Sequence, residues 1–347
     1  MCSTLKNSRG NIKVGITWSF PIIQHTASNK GIVSDLGKGF SVCDEFKGGD
    51  LKDIFENCFA DGGIPIEIYS IVNDSVSVFV TGSYFNNAKL GLVQGTGINS
   101  SFLVDQSLAG KQKIKFLRNT DSDKKVLINT EASFLGYHLH KYVSDVDRDM
   151  NRLWKVMGSD EYPPPHMTTD TYGVFQPLEM ITSGRYIPEI IRRFVAEYFS
   201  DTAVPEAGSE YTLSAELLAS LYRCSDPEKF RAELGKSLPL DNLKDDDLVI
   251  LKTITKAVIY RASMILASYI IAMVRVAKFT HLEKLEISVV GSMLQYFPEY
   301  KETVLGILDS KAVQSHNIPK ISFDFIKDSS IYGASIAAYV NQERMGL

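Results

Sequence analysis

The chain has 347 residues, 44% of them hydrophobic and 22% charged, with a net charge of −4. That length can bury a sizeable core and suggests two lobes. The balance is mildly acidic and no polybasic block stands out, so nucleic acid and an anionic membrane surface are poor partners. Cys2, Cys43, Cys58 and Cys224 show neither a CxxC spacing nor a paired pattern. Reduced thiols in a cytoplasmic protein fit that usage, and no metal site is implied. The first residues lack the apolar run of a secretory signal.

Residues 11–18 (NIKVGITW) read as a strand running into Ser19-Phe20-Pro21. Residues 31–40 are Gly-rich and carry Lys38 in LGKGF. Residues 50–60 read as a helix, apolar at Leu51, Ile54, Phe55, Cys58 and Phe59. In residues 64–72, Ile64, Ile66 and Ile68 alternate and Ile71 and Val72 extend the run, which predicts a strand. Asn73-Asp74-Ser75 closes that strand and supplies N-cap chemistry for a helix to about residue 84. An apolar run at 90–93 then precedes Gly95-Thr96-Gly97. Strand ends present side chains to ligands in α/β folds, and a glycine turn lets backbone N–H groups approach phosphate oxygens. The pair suggests a base beside a phosphate site. An ordinary helix cap and an ordinary turn account for the same residues.

Residues 102–124 read as a polar, loop-rich connection, and 125–130 (KVLINT) as a strand delivering Glu131. Residues 145–165 are charged and end in three prolines, which predicts a surface excursion. Residues 171–184 lead into a helix to about 199, and 201–211 resemble a linker. Helices are expected at 212–223, 227–234 and 245–277. The apolar run at 262–274, between Arg261 and Arg275, is too short to span a bilayer and reads as a buried core helix. Strands at 285–290, closed by Gly291-Ser292, and at 321–326 precede a small-residue helix at 329–341. Strands alternating with helices predict an α/β architecture.

The stretches VGITWSFP, LGKGF, EIYSIVNDSVSV, GLVQGTGIN, INTE, FQPLEMITSGRYIPEIIR, VVGSMLQYFPEY and SSIYGASIAA occur in that order. Together they resemble the hexokinase family over nearly the whole chain, and their wording is nearest to its fungal N-acetylglucosamine kinase branch. The resemblance implies an actin-like, ribonuclease-H-like two-lobed sugar kinase fold that transfers the γ-phosphoryl of ATP to a sugar 6-hydroxyl. Residues 1–72 with 328–347 would form the smaller lobe and 73–327 the larger. By motif, Asp74 is the general base, and Lys38 approaches the transferring phosphoryl. Ser19, Phe20, Gly37, Lys38, Asn73, Asp74, Asn99, Glu131, Gln176 and Glu179 would line the sugar site. Polar amides and carboxylates suit a polyol, whose hydroxyls both donate and accept. Gly95, Thr96, Gly97, Gly184, Arg185, Gly291 and Ser292 would hold ATP, with Mg²⁺ bound through phosphates and water. Val290 stands where many members have Asp.

Three departures shape the expectation. Family members carry an Asp-Gly-Gly-Thr-like phosphate hairpin upstream of VGITWSFP, and no such motif precedes Asn11. Asp61-Gly62-Gly63 falls between a helix and a strand and is not a substitute. An incomplete small lobe without that loop should lose several kcal/mol of transition-state stabilisation, on the order of three decades in rate. Ile23 replaces a family serine and Gly37 the threonine of a Thr-Lys pair, which opens room and apolar surface for a 2-acetamido methyl. A glucose or general hexose kinase, and a catalytically impaired sugar-binding regulator, remain the alternatives.

Overall fold

The computed structural model describes residues 11–20, 22–24, 29–34, 42–108, 124–161, 175–198, 211–235 and 244–345. Gly37, Lys38 and most of the expected linker at 201–211 lie outside them. The chain opens with β1 (Ile12–Thr17), the short pair β2 (Ile22–Ile23) and β3 (Ile32–Val33), and helix α1 (Leu51–Asp61). The helix starts where predicted because the Asp50 carboxylate accepts from the Lys52 N–H at 3.0 Å. β4 (Ile66–Val72) then pairs in parallel with β1. Val33, Leu51, Ile68 and Ile71 form a small core under these elements.

Helix α2 (Asp74–Asn86) leads to β5 (Leu90–Gln94), β6 (Ile98–Asp105) and β7 (Lys125–Asn129). Next come α3 (Asp145–Met150), α4 (Leu153–Val156), α5 (Pro177–Thr182), α6 (Ile187–Tyr198), α7 (Ala215–Arg223), α8 (Pro227–Leu234) and α9 (Asp245–Val276). The chain continues through β8 (Lys284–Val290), α10 (Ser292–Tyr296), α11 (Tyr300–Leu308), α12 (Lys311–Gln314), β9 (Lys320–Phe325) and α13 (Ser329–Met345). A five-stranded mixed sheet has the order β7-β6-β5-β8-β9. Its β5-β6 and β6-β7 pairs are antiparallel, and β5-β8 and β8-β9 are parallel.

Helix α2 packs on β5, β6 and β8, and α13 packs on α2, β1 and β4. Gly91 allows the close approach of α2, since a Cβ there would lie 2.5 Å from the Phe79 nitrogen. α9 lies in the main core, where Ala262, Leu266, Ile270 and Val274 are fully buried. By length and composition α9 could cross a membrane, but 56% of its most apolar window is buried inside the fold. Three aspartates in its first turn, Asp245 to Asp247, complement the helix dipole.

Two expectations fail. Residues 102–105 are not loop: β6 runs on to Asp105, paired with β7 and burying Phe102 and Val104. The serines that make this strand look polar are buried and satisfied, Ser101 by the Ser75 hydroxyl at 2.6 Å and Ser100 by Tyr269 at 2.5 Å. Residues 145–157 are not a surface excursion either. Leu153, Trp154 and Met157 join Phe175, Ile181 and Tyr186 in a second core. Asp147 is buried because Arg261 on α9 meets it with two hydrogen bonds, at 2.6 and 2.9 Å. The helix expected to follow the segment 171–184 and run to about 199 is α6, and the short helix α5 lies within that leading segment.

Candidate functional site

The end of β4 is fixed to the end of β1 by the Trp18 N–H, which donates to the Val72 carbonyl at 2.8 Å. Asn73 follows in extended backbone (φ −70°, ψ 157°) and caps α2, its Oδ1 accepting from the Ser75 N–H at 2.9 Å. Asp74 is the first helical residue, and its Oδ1 accepts from the same N–H at 2.8 Å. A carboxylate at a helix start is stabilised in its charged form. Both side chains are half-buried, so Asp74 is ordered yet reachable. Ser19, exposed, and Phe20, edge-on to Trp18 at 5.9 Å, follow the end of β1 beside this junction. Ile23 is 49% exposed.

Asn99, at the start of β6, links the junction to the next loop. Its Oδ1 accepts from the Ser100 N–H at 2.8 Å, the Ala132 N–H at 3.1 Å and the Thr130 hydroxyl at 3.2 Å. Its Nδ2 donates to Asn73 Oδ1 at 3.0 Å and to Asn129 Oδ1 at 2.8 Å. Asn129 in turn donates to Glu131 Oε1 at 2.7 Å. Glu131 sits in left-handed backbone (φ 47°, ψ 50°) and opens a short 3₁₀ turn, Ala132–Phe134. Within that turn the Ser133 hydroxyl accepts from Gln176 Nε2 at 3.1 Å. Glu179, 1% exposed, accepts the Ile98 N–H at 3.2 Å through Oε2, one residue before Asn99. Asn73, Asp74, Asn99, Glu131, Gln176 and Glu179 are thus brought together.

The second group of residues assembles at three crossing loops. The Gly184 N–H donates to the Gly95 carbonyl at 2.8 Å. Gly291 has φ 137°, and a Cβ there would collide with the Gln94 carbonyl and lie 2.6 Å from the Gly95 nitrogen. A Cβ on Gly184 would lie 3.1 Å from the Gly95 oxygen and 2.8 Å from Met293 Cγ. Glycine is required here so that backbone can meet backbone. Thr96 and Ser292 are exposed and Gly97 is half-buried at the rim, where a polyphosphate can approach main-chain groups. The Arg185 guanidinium lies over the Tyr211 ring at 5.1 Å and the Tyr186 ring at 5.9 Å. Burial, then the Glu179 carboxylate, push the Tyr186 hydroxyl up to about 12, so it stays protonated.

Several participants have no role by resemblance, although all but Tyr269 stand inside the stretches that carry it. Asn129 and Thr130 precede Glu131 in INTE, and Tyr269 reaches them from α9, its hydroxyl 3.1 Å from Thr130 Oγ1. Gln94 Nε2 donates to the Thr182 carbonyl at 2.5 Å and Tyr300 donates to the same oxygen at 3.0 Å, bracing the glycine crossing from below. Among the described residues no group of three or more His, Cys, Asp or Glu side chains could hold a metal ion.

Comparison with known proteins meets this geometry. Two hexokinase family models match, one over residues 89–340 and the other over residues 2–84. N-acetylglucosamine kinase 1 of Candida albicans is 31% identical over 342 residues, covering 94% of this chain and 67% of that protein. Glucokinase of Aspergillus niger is 25% identical over 359 residues, covering 94% and 68%. The hexokinase of Schistosoma mansoni, solved with glucose, superposes with a TM-score of 0.75 at 21% identity, over 95% of this chain and 70% of that one. The chain spans about two thirds of the length of these relatives. That superposition carries the actin-like, two-lobed sugar kinase fold. With one family matched from residue 89 to 340, the chain belongs to the hexokinase family of sugar phosphotransferases.

Proposed function

We propose that the chain phosphorylates the 6-hydroxyl of N-acetylglucosamine at the expense of ATP. One observation carries the reading: a half-buried carboxylate, Asp74, stands at a helix start beside a polar chain running from Asn73 through Asn99 to Glu131. Asp74 takes the proton of the 6-hydroxyl as its oxygen attacks the γ-phosphorus and the bond to ADP breaks. Asn73, Glu131, Gln176 and Glu179, with Ser19 and Phe20, orient the ring. Lys38 approaches the phosphoryl group from the segment it shares with Gly37. Gly95, Thr96, Gly97, Gly184, Arg185, Gly291 and Ser292 hold the nucleotide. Hexokinase-family kinases use ATP with Mg²⁺, which neutralises charge on the phosphates. Residues 1–72 with 328–347 close as one lobe on 73–327 and exclude water.

The N-acetyl preference rests on the 31% identity to a kinase of that name, against 25% to the glucokinase, and on Ile23 in place of a family serine. A coupled ADP-release assay with N-acetylglucosamine and with glucose tests it. Asp74→Asn should lower kcat about 10²- to 10⁴-fold, the usual contribution of general acid–base catalysis. Equal kcat/KM for both sugars would defeat the N-acetyl assignment. Undiminished turnover by Asp74→Asn would defeat the catalytic one. Sugar binding in calorimetry with no ADP release would favour the alternative of an impaired sugar-binding protein.

A further inference from the structure

The loops of the glycine crossing come from different parts of the fold. Gly95-Thr96-Gly97 leaves β5 and Gly291-Ser292 leaves β8, and the pairing of these strands ends at Val93 and Val290, just before both loops. Gly184 and Arg185 follow α5, which lies outside the sheet. The sheet register therefore stops short of the place where the loops must meet. Beneath them lies one oxygen, the Thr182 carbonyl. Thr182 ends α5, and the last carbonyls of a helix have no partner within it. Two side chains supply donors. Gln94 Nε2, from the residue before the first loop, reaches this oxygen at 2.5 Å. The Tyr300 hydroxyl, from the start of α11 beyond the third loop, reaches it at 3.0 Å. Gln94 Nε2 also donates to the Tyr300 hydroxyl at 3.3 Å. Each loop thus contributes one member to a single joint.

From this we infer that Gln94 and Tyr300 are positioning residues of the nucleotide site, setting its loops against one another through the Thr182 carbonyl. The inference rests on the reading of the crossing as the ATP site and deepens it with two residues buried beneath that site. Satisfying a buried carbonyl takes one donor, and Tyr300 alone would do it. Its side chain is fully buried, and burial pushes its hydroxyl far above the usual tyrosine range, so it stays a donor. The second donor leaves an acceptor stranded. Gln94 is fully buried, and its Oε1 has no hydrogen-bond partner among the described residues. An apolar side chain at 94 would fill the space without an orphaned oxygen. A local rule broken without a gain in stability marks a position held for function. What the amide adds is alignment. The Gly184 N–H bond to the Gly95 carbonyl is one point of contact, about which two loops can pivot, and the joint below supplies another. The ligand class that needs such alignment is a nucleoside polyphosphate, whose phosphates meet main-chain groups of several loops at once.

Gln94→Leu and Tyr300→Phe each remove one donor with little change of side-chain volume. Binding of the nonhydrolysable analogue AMPPNP with Mg²⁺ to the full chain is measured by calorimetry. N-acetylglucosamine binding and thermal melting are measured on the same samples. In each variant the nucleotide dissociation constant should rise on the order of threefold to tenfold, the range for one hydrogen bond. N-acetylglucosamine affinity should stay within about twofold, because Glu179 on α5 keeps its own tie to the Ile98 N–H. Gln94→Leu should melt no lower than the unmodified chain, since the orphaned oxygen leaves with the donor. A pair that only supports the core gives the opposite pattern, lower melting with parallel loss of both ligands, and that result overturns the proposal. Nucleotide affinity within about twofold of the unmodified chain in either variant overturns it too. If Gln94→Leu does not fold, Tyr300→Phe decides alone. If the unmodified chain binds sugar but no nucleotide, the ATP reading of the crossing falls first and the proposal falls with it.

Discussion

Replacing Arg261 by Met should destabilise the protein by about 3–5 kcal/mol at pH 7, the cost of leaving one member of a buried ion pair alone. The Asp147 side chain is 1% exposed and accepts from Arg261 Nη1 at 2.6 Å and Nη2 at 2.9 Å. Ser144 supplies an N–H at 2.8 Å and a hydroxyl at 2.5 Å, so the orphaned carboxylate would keep two of its four donors. Burial pushes the Asp147 carboxyl up, but the hydrogen bonds and charge of Arg261, with those of Ser144, outweigh it and hold the group below the usual carboxylate range. A depressed carboxyl contributes stability above its unfolded value near 4, and loses it as the pH falls toward the folded value. The unmodified chain therefore keeps this contribution between pH 7 and 5. In the Met variant only the two Ser144 donors still oppose burial, so the folded carboxyl rises from its position in the unmodified chain, and protonation costs the fold less as the pH drops. Urea unfolding at pH 7 and pH 5 should show the gap between the two proteins narrowing at the lower pH. A gap under 1 kcal/mol at pH 7, or one that does not change with pH, would refute the account.

Gly291→Ala should raise the KM for ATP at least tenfold while N-acetylglucosamine binding stays within twofold, since its Cβ would drive the loop off Gln94 and Gly95; an unchanged nucleotide KM would separate the glycine crossing from ATP. Tyr211→Ala should raise the same KM by about two- to tenfold, because a cation–π contact contributes roughly 0.5–2 kcal/mol to holding Arg185. The Tyr211 backbone N–H still donates to Glu189 at 2.9 Å, so melting should move little, and a large loss of stability would mean that the ring acts through the core.

Residues 64–97 were legible because three local signals agree there: a period of two, a cap and a glycine turn. The same holds for α9, whose apolar stripe needs no partner to be recognised. β6 was hidden because Ser100 and Ser101, on its two opposite faces, become core residues only when Tyr269 and Ser75 respectively arrive to satisfy them. Residues 145–157 were misread for a related reason, since the charge of Asp147 argues for solvent until Arg261, 114 residues later, is placed against it. In the site, motif resemblance reached the residues that face a ligand. It passed over Asn129, Thr130, Gln94 and Tyr300, whose importance lies in what they hold and so appears only with coordinates.

The packing of α13 on β1 sets a condition on biosynthesis. The Thr17 hydroxyl donates to the Ser330 carbonyl across 313 residues, and a side chain at Gly15 would strike the Ala334 carbonyl. During translation the first strand therefore waits for nearly the whole remaining chain before its covering helix emerges from the ribosome. Contacts that distant close late and slow folding, and an uncovered strand is an aggregation hazard in the interval. Chaperone dependence of the nascent chain, rather than of the finished protein, is the cellular trait this connectivity implies.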